Sequence, residues 1–412
     1  MTDGRRQLIA VGAVGGRGAA AVADTIRDTH LAIADRAFTM SGPGALPAHR
    51  LHDAISRGVY ASVATGVRFG GLAAGYAAAR RSRRRTSTTA LTDRPRGATT
   101  IGALNGAWGD WLHAERSPLA LPMTVRRDDR DVPLDDAGLR AAYPDATGDL
   151  AVFLHGLCES DVSWRLHARR HYGDARSTHA TRLQAELGLS PVTIRYNTGR
   201  HICDNGDTLA HLLSDLVEHW PVAVERITFV GHSMGGLVAR AACHRAEADD
   251  FPWLDRVARV VYLGAPHLGA PLEVAATAAA LALRRLPETR PLARALASRS
   301  VGIKDLRYGD VTADDWSSLA DLDAWRSEPA GCTPLLASAD HYFLGVTLGQ
   351  QPDTRLARIV GDALVPWSSA SGAGPRRRLE VSVDRSRHLG GLHHFDLLNH
   401  PRVYAVLQEW LA

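Results

Sequence analysis

Along most of this chain, apolar and polar residues alternate between two periods, and the switch between them marks out its elements. Short apolar runs rich in Val, Ile, Leu and Phe recur near 119–126, 150–154, 192–196, 227–230, 259–263, 342–347 and 379–383, and each is read as a strand. Stretches with a 3.6-residue repeat lie between them, which favours a mostly parallel sheet covered by helices on both faces. The first hundred residues contain no strand-like run. Residues 18–38 and 49–69 read as helices separated by Ser41-Gly42-Pro43-Gly44; in the second, Leu51, Ile55, Val59, Val63 and Val67 recur every four positions and form one apolar face, expected to pack against a domain. The expected division is a helical, basic segment over 1–100 and an α/β domain over 101–412. An Ala- and Leu-rich insertion at about 269–333 is too long for a simple connection, and is read as helices forming a lid or acyl pocket over a site, or a plain packing subdomain. Tyr404–Leu411 supplies a last helix after Pro401.

Composition changes this picture in only a few places. The 412 residues are 45% hydrophobic, enough for a large core. Basic residues are nearly all Arg, with Lys304 the only Lys, a bias typical of a GC-rich bacterial genome. Residues 1–100 hold 15 Arg against 6 acids, net +9, so the remainder is net −5. The densest run, Arg80, Arg81, Arg83, Arg84 and Arg85, is read as a solvated linker because Thr and Ser follow it and no aromatic residues interleave for base stacking; nucleic acid is not an expected partner. Peripheral contact with an anionic membrane through residues 49–85 stands as the alternative. The N-terminal Arg5-Arg6 and apolar stretch resemble a signal peptide, but Arg17 interrupts it, so the expectation is a cytoplasmic protein, with membrane-peripheral placement as its variant. Cys158, Cys203, Cys243 and Cys332 are too few for a disulfide scaffold, and reduced thiols are expected, with Cys158–Cys203 the one pairing to check.

The candidate chemistry centres on Gly231-His232-Ser233-Met234-Gly235, a G-x-S-x-G pattern between a strand (227–230) and a helix that starts at Leu237. A strand-to-helix turn this sharp requires small residues at 231 and 235 and pushes the Ser233 hydroxyl outwards. A serine hydroxyl needs an imidazole to take its proton and a third group to orient that imidazole. Downstream segments offer both, Gly361-Asp362-Ala363-Leu364-Val365-Pro366 followed by Leu392-His393-His394-Phe395-Asp396-Leu397-Leu398, with Asp340 and Asp323 as rival acids. Adjacent side chains diverge, so only one of His393 and His394 can face Ser233. The oxyanion donors are expected to be the backbone N–H groups of Met234 and Leu157, the latter on the Leu154-His155-Gly156-Leu157 loop that leaves a strand. His155, Gly156 and His267 are read as supports. His388, His393, His394 and Asp396 cluster in sequence, but no helical zinc spacing accompanies them, and no metal or cofactor is expected.

With these motifs, residues 101–412 resemble the bacterial lipase and esterase branch of the α/β-hydrolase superfamily: Leu154-His155-Gly156-Leu157, Gly231–Gly236, Leu263-Gly264-Ala265-Pro266-His267-Leu268-Gly269, Gly361–Pro366 and His394-x-x-Leu-Leu follow the family's order. The resemblance implies Ser233 as nucleophile, Asp362 as acid, His394 as base, and Leu157 and Met234 as oxyanion donors. It implies a serine carboxylic-ester hydrolase acting on acyl esters or lipids through an acyl-enzyme. A thioesterase or acyltransferase with the same triad, and a non-catalytic membrane-surface or scaffolding protein, are the alternatives. Ala363 departs from the pattern, since many relatives carry Gly there.

Overall fold

The computed structural model describes residues 3–82, 90–317, 321–324 and 332–412, apart from 353, 355, 356, 358, 359 and 376. Eight strands form one sheet: β1 (Thr124–Arg127), β2 (Arg130–Asp131), β3 (Asp149–Leu154), β4 (Ser190–Arg195), β5 (Arg226–His232), β6 (Val257–Leu263), β7 (Asp340–Thr347) and β8 (Ser386–Gly390). Their order is β2-β1-β4-β3-β5-β6-β7-β8, with β1 and β2 antiparallel at one edge and every pair from β4 to β8 parallel.

Side chains alternate across the sheet and so build two cores. Leu150, Val152 and Leu154 of β3 join one cluster with Phe229 and Tyr262, whereas Ala151 and Phe153 join the other with Val230, Val261 and Leu263. The first face is covered by α7 (Ile202–Glu218) and α8 (Met234–Ala248), whose Leu209, Leu213, Leu237 and Val238 enter that cluster. The second carries Leu183 of the helix His179–Leu187 and Val403, Leu407 and Trp410 of the C-terminal helix Pro401–Leu411.

Two expected strands are displaced. The segment 119–123 is fixed to a helix instead of the sheet: Asn105, fully buried, donates to Leu119 O at 2.7 Å and accepts from Leu121 N–H at 3.0 Å, so β1 begins only at Thr124. Leu379 N–H goes to Gly372 O at 2.8 Å, so 379–383 is not a strand, and Ser386–Gly390 pairs with Phe343–Thr347 of β7 in its place. That edge strand is only half-buried, which explains its weak hydrophobic signal.

The N-terminal helices are longer than the pattern suggests: α1 spans Asp3–Met40 and α2 spans Leu46–Ser82. Arg80 and Arg81 end α2 and are not linker; Arg83, Arg84 and Arg85 lie outside the described residues. α1 and α2 pair through small residues. A Cβ on Gly12 would lie 2.3 Å from Gly71 O, and Ala20, Ala23 and Ala64 form the contact further along. Of the expected stripe only Val67 packs, against Ala20, Ala23 and Ala64, while Leu51, Ile55, Val59 and Val63 are 63%, 58%, 57% and 49% exposed. The expected boundary at residue 100 falls inside α3 (Pro95–Ala114). This helix is bound to the sheet-bearing domain: Ser300 Oγ donates to Gly106 O at 2.6 Å and Asn197 Nδ2 to Gly109 O at 2.8 Å.

Helices α4 (Asp136–Ala142), α5 (Ala168–Tyr172) and α6 (His179–Leu187) lie between the early strands, and the insertion contains α9 (Pro271–Leu283), α10 (Arg290–Ala297) and α11 (Val301–Asp305). Buried Glu273 of α9 takes a bidentate pair from Arg299 at 2.6 and 2.8 Å, and Arg299 and Lys304 reach Asp323. The hairpin touches this insertion through Arg36–Glu288 and Arg294–Asp28.

Candidate active site

Ser233 sits between β5 and α8 with φ 54° and ψ −124°, a strained conformation that non-glycine residues avoid, at a sharp strand-to-helix turn. Its neighbours enforce this geometry. A Cβ on Gly231 would lie 2.5 Å from Gly236 Cα, and one on Gly235 2.2 Å from Leu154 O, so neither position tolerates a side chain. Ser233 N–H donates to Leu263 O at 2.8 Å, fixing the turn to the end of β6.

At the end of the sheet next to β8, Asp362 and His394 form the second half of the site. His394 Nδ1 lies 2.6 Å from Asp362 Oδ2, with both side chains buried, and His394 N–H donates to Asp362 O at 3.0 Å. The other carboxylate oxygen, Oδ1, accepts from Leu364 N–H and Val365 N–H at 3.0 and 2.8 Å. With both oxygens engaged, the carboxylate has one orientation, and Nδ1 must carry the proton while Nε2 stays free to accept one. His394 Cε1 approaches Gly264, the residue after the acceptor of the Ser233 N–H, so His394 and Ser233 flank the same point of the chain. The Ser233 hydroxyl makes no hydrogen bond among the described residues; such contacts commonly tighten only with substrate bound. Ala363 has φ 89°, the region that favours glycine, and the carboxylate is held correctly in spite of it.

The Leu154–Leu157 loop lies directly over Ser233: a Cβ on Gly156 would be 3.0 Å from Ser233 Cβ. Gly156 N–H, Cys158 N–H and Glu159 N–H all have acceptors, in Glu159 Oε2, Thr198 Oγ1 and Gly156 O. That leaves Leu157 N–H without one among the described residues, and Met234, as the first residue of α8, has none within its helix.

Among the supports, His155 stacks on Tyr196 at 4.4 Å and accepts Tyr196 N–H on Nε2; burial lowers its pKa. His267 is buried against Arg240, and burial with that cation holds it well below the ordinary imidazole value. The other candidates go elsewhere. Asp340 opens β7 at the opposite end of the sheet and pairs with Arg385, Asp323 pairs with Lys304, and His388 meets Thr347. His393 is half-exposed and faces Asp396. All four cysteines are unbridged.

Glu159 was not singled out by the sequence, yet it joins the parts of the site. It accepts from Gly156 N–H at 2.8 Å and from His232 Nδ1 at 3.1 Å, while His232 Nε2 lies 3.3 Å from His394 O. Burial opposes charge on both side chains, but each partner outweighs it: Glu159 is held below the usual carboxylate range and His232 above the usual imidazole value. Through its two ring nitrogens His232 links the loop bearing Gly156, the Ser233 turn and the loop bearing His394. The available signal was an acid four residues after His155, inside a loop otherwise destined for burial.

A serine on a strained turn after the central parallel strand β5, with an Asp–His pair on loops after later strands, is the arrangement of the α/β-hydrolase fold. Residues 145–324 match the family model described as the PGAP1-like alpha/beta domain. A search of curated proteins returned no match. Solved structures similar to the chain include a Bacillus licheniformis lipase in its mature form (17% identity, 64% of this chain and 92% of that one, TM-score 0.40). A metagenomic carboxyl esterase (15%, 68% and 78%, TM-score 0.37) and the phospholipase PlaB from Legionella pneumophila (13%, 64% and 59%, TM-score 0.38) are also similar.

Proposed function

We propose that this protein is a serine carboxylic-ester hydrolase of lipase or esterase type. The observation that carries this reading is the strained Ser233 turn, set across Gly264 from an imidazole whose Nδ1 is locked by Asp362. Ser233 Oγ attacks the ester carbonyl while His394 Nε2 takes its proton, and the N–H groups of Leu157 and Met234 receive the developing oxyanion. His394 then returns the proton to the departing alcohol, leaving an acyl-serine. Water, activated by the same imidazole, adds to the acyl carbon and releases the acid. Asp362 stabilises the imidazolium in both steps without itself taking the proton. Treatment with a fluorophosphonate probe followed by peptide mapping tests the reading: labelling confined to Ser233 and blocked in Ser233→Ala is expected, and labelling elsewhere or none overturns it. Comparing acyl-CoA with simple esters then separates a thioesterase or acyltransferase from an esterase.

A second reading concerns where the substrate is met. The α1–α2 hairpin turns its small residues inwards and leaves Val22, Ile26, Leu51, Ile55, Val59 and Val63 exposed, beside Arg50, Arg57 and Arg68. An apolar stripe flanked by arginines suits the surface of an anionic bilayer, so the hairpin is proposed to bring the site to lipid esters.

A further inference from the structure

Outside the triad, two histidines and an aspartate from distant parts of the chain aim their donor atoms at one point. His393 and Asp396 flank the start of the turn His394–Leu398, and His167 precedes α5. Asp396 Oδ1 lies 3.4 Å from His393 Nε2 and 3.6 Å from His167 Nδ1, and the three donor atoms are all within 4.8 Å of one another. The two carboxylate distances exceed a good hydrogen bond. They match, however, the spacing of about 3.3–3.4 Å between two donors that each lie about 2.0–2.1 Å from a tetrahedral ion.

The donors are held in place before any ion arrives. Asp396 Oδ2 accepts His393 N–H at 3.0 Å, which turns Oδ1 towards the imidazoles. His167 has φ 62°, a left-handed conformation that its surroundings must impose. Its Nδ1 is sealed from solvent without a hydrogen-bond partner, a costly state for a buried polar atom. Fully buried Asn399 donates to Trp164 O at 2.8 Å and Leu166 O at 2.7 Å, clamping the segment that carries His167 against the loop that carries the other two.

We propose that His167, His393 and Asp396 form a binding site for a divalent transition-metal ion of the zinc type, separate from the hydrolytic triad. Two imidazoles and one carboxylate suit such an ion, whereas calcium and magnesium select all-oxygen sets. With the His393 side chain 42% exposed, the fourth position faces water and the ion has an entry path. Binding would tie the 164–172 segment to the loop bearing His394, and the fold would gain stability in proportion to ion occupancy.

The test uses the full-length chain freed of metal with EDTA and titrated with Zn²⁺ by calorimetry, with Co²⁺ absorption as a second readout. Saturable binding of one ion per chain, a tetrahedral cobalt spectrum and a raised Tm are expected. His167→Gln and His393→Gln should each weaken binding by at least about tenfold, while His171→Gln, at the neighbouring His171–His400 contact, should leave it unchanged. Circular dichroism of each metal-free variant checks folding, and half-exposed His393→Gln carries the test if His167→Gln unfolds. Absence of saturable binding, unchanged affinity in folded His393→Gln, or equal loss in His171→Gln overturns the proposal.

Discussion

The carboxylate of Glu159 and the imidazole of His232 meet at 3.1 Å in a buried pair that spans the loop after β3 and the Ser233 turn after β5. Removing the charge from one partner leaves the other buried and uncompensated, the costly way to break such a pair. Glu159→Gln is therefore expected to lower kcat on a soluble ester by at least about tenfold through a misplaced oxyanion loop, and to lower Tm.

That destabilisation has a pH signature. Glu159 is held below its ordinary pKa, so its contribution is present above the unfolded carboxylate value and is lost as pH falls through the folded one. His232 is held above its ordinary pKa, so its contribution is complete below the unfolded imidazole value and is lost as pH rises through the folded one. The stability gap between wild type and Glu159→Gln should be widest at about pH 5–6 and narrow at higher pH. Denaturant unfolding at several pH values measures it, and a gap that keeps widening above about pH 6 contradicts the charged-pair assignment.

For the proposed triad, Ser233→Ala should fold normally and lose at least about 10³-fold in kcat on p-nitrophenyl butyrate. Asp362→Asn should be comparably crippled, since an amide in place of Oδ2 favours the wrong imidazole tautomer. His394→Ala should abolish turnover while His393→Ala, half-exposed and turned towards Asp396, costs far less. Near-wild-type turnover in folded Ser233→Ala would remove the mechanism.

Ala363 holds φ 89° beside the acid, where an alanine costs about 1–2 kcal/mol that glycine does not pay. Ala363→Gly should thus be neutral or stabilising, against the usual loss of about 0.5–1 kcal/mol for this exchange. Equilibrium denaturation decides it; a destabilisation of the usual size would show that the turn is not strained.

The outward stripe of α2 predicts flotation of the full-length chain with anionic vesicles at low salt and its release at high salt. Replacing exposed Ile55 and Val59 together by Ser should reduce flotation while soluble-ester turnover is unchanged. Equal flotation of wild type and variant would rule out this face as the contact.

Local chemistry made much of this protein legible from its sequence. Ser233 was marked because a strand-to-helix turn demands glycines at 231 and 235, and five strands declared themselves because buried parallel strands are continuous apolar runs. The first segment of the helical hairpin likewise announced its turn at Ser41–Gly44. What the sequence could not carry were relationships between distant segments. Residues 119–123 form no strand because Asn105 captures their backbone, and Ser386–Gly390 forms one because β7 offers it an edge. The stripe of Leu51, Ile55, Val59 and Val63 has the same periodicity whether it faces a core or solvent; only the close glycine contact between α1 and α2 decided that it faces outwards. In the same way, Glu159 became part of the site when folding placed it against His232, and His167 joined His393 and Asp396 through a contact that local spacing does not encode. Periodicity and turn chemistry act over a few residues, whereas these pairings depend on how the sheet's loops are brought together in space.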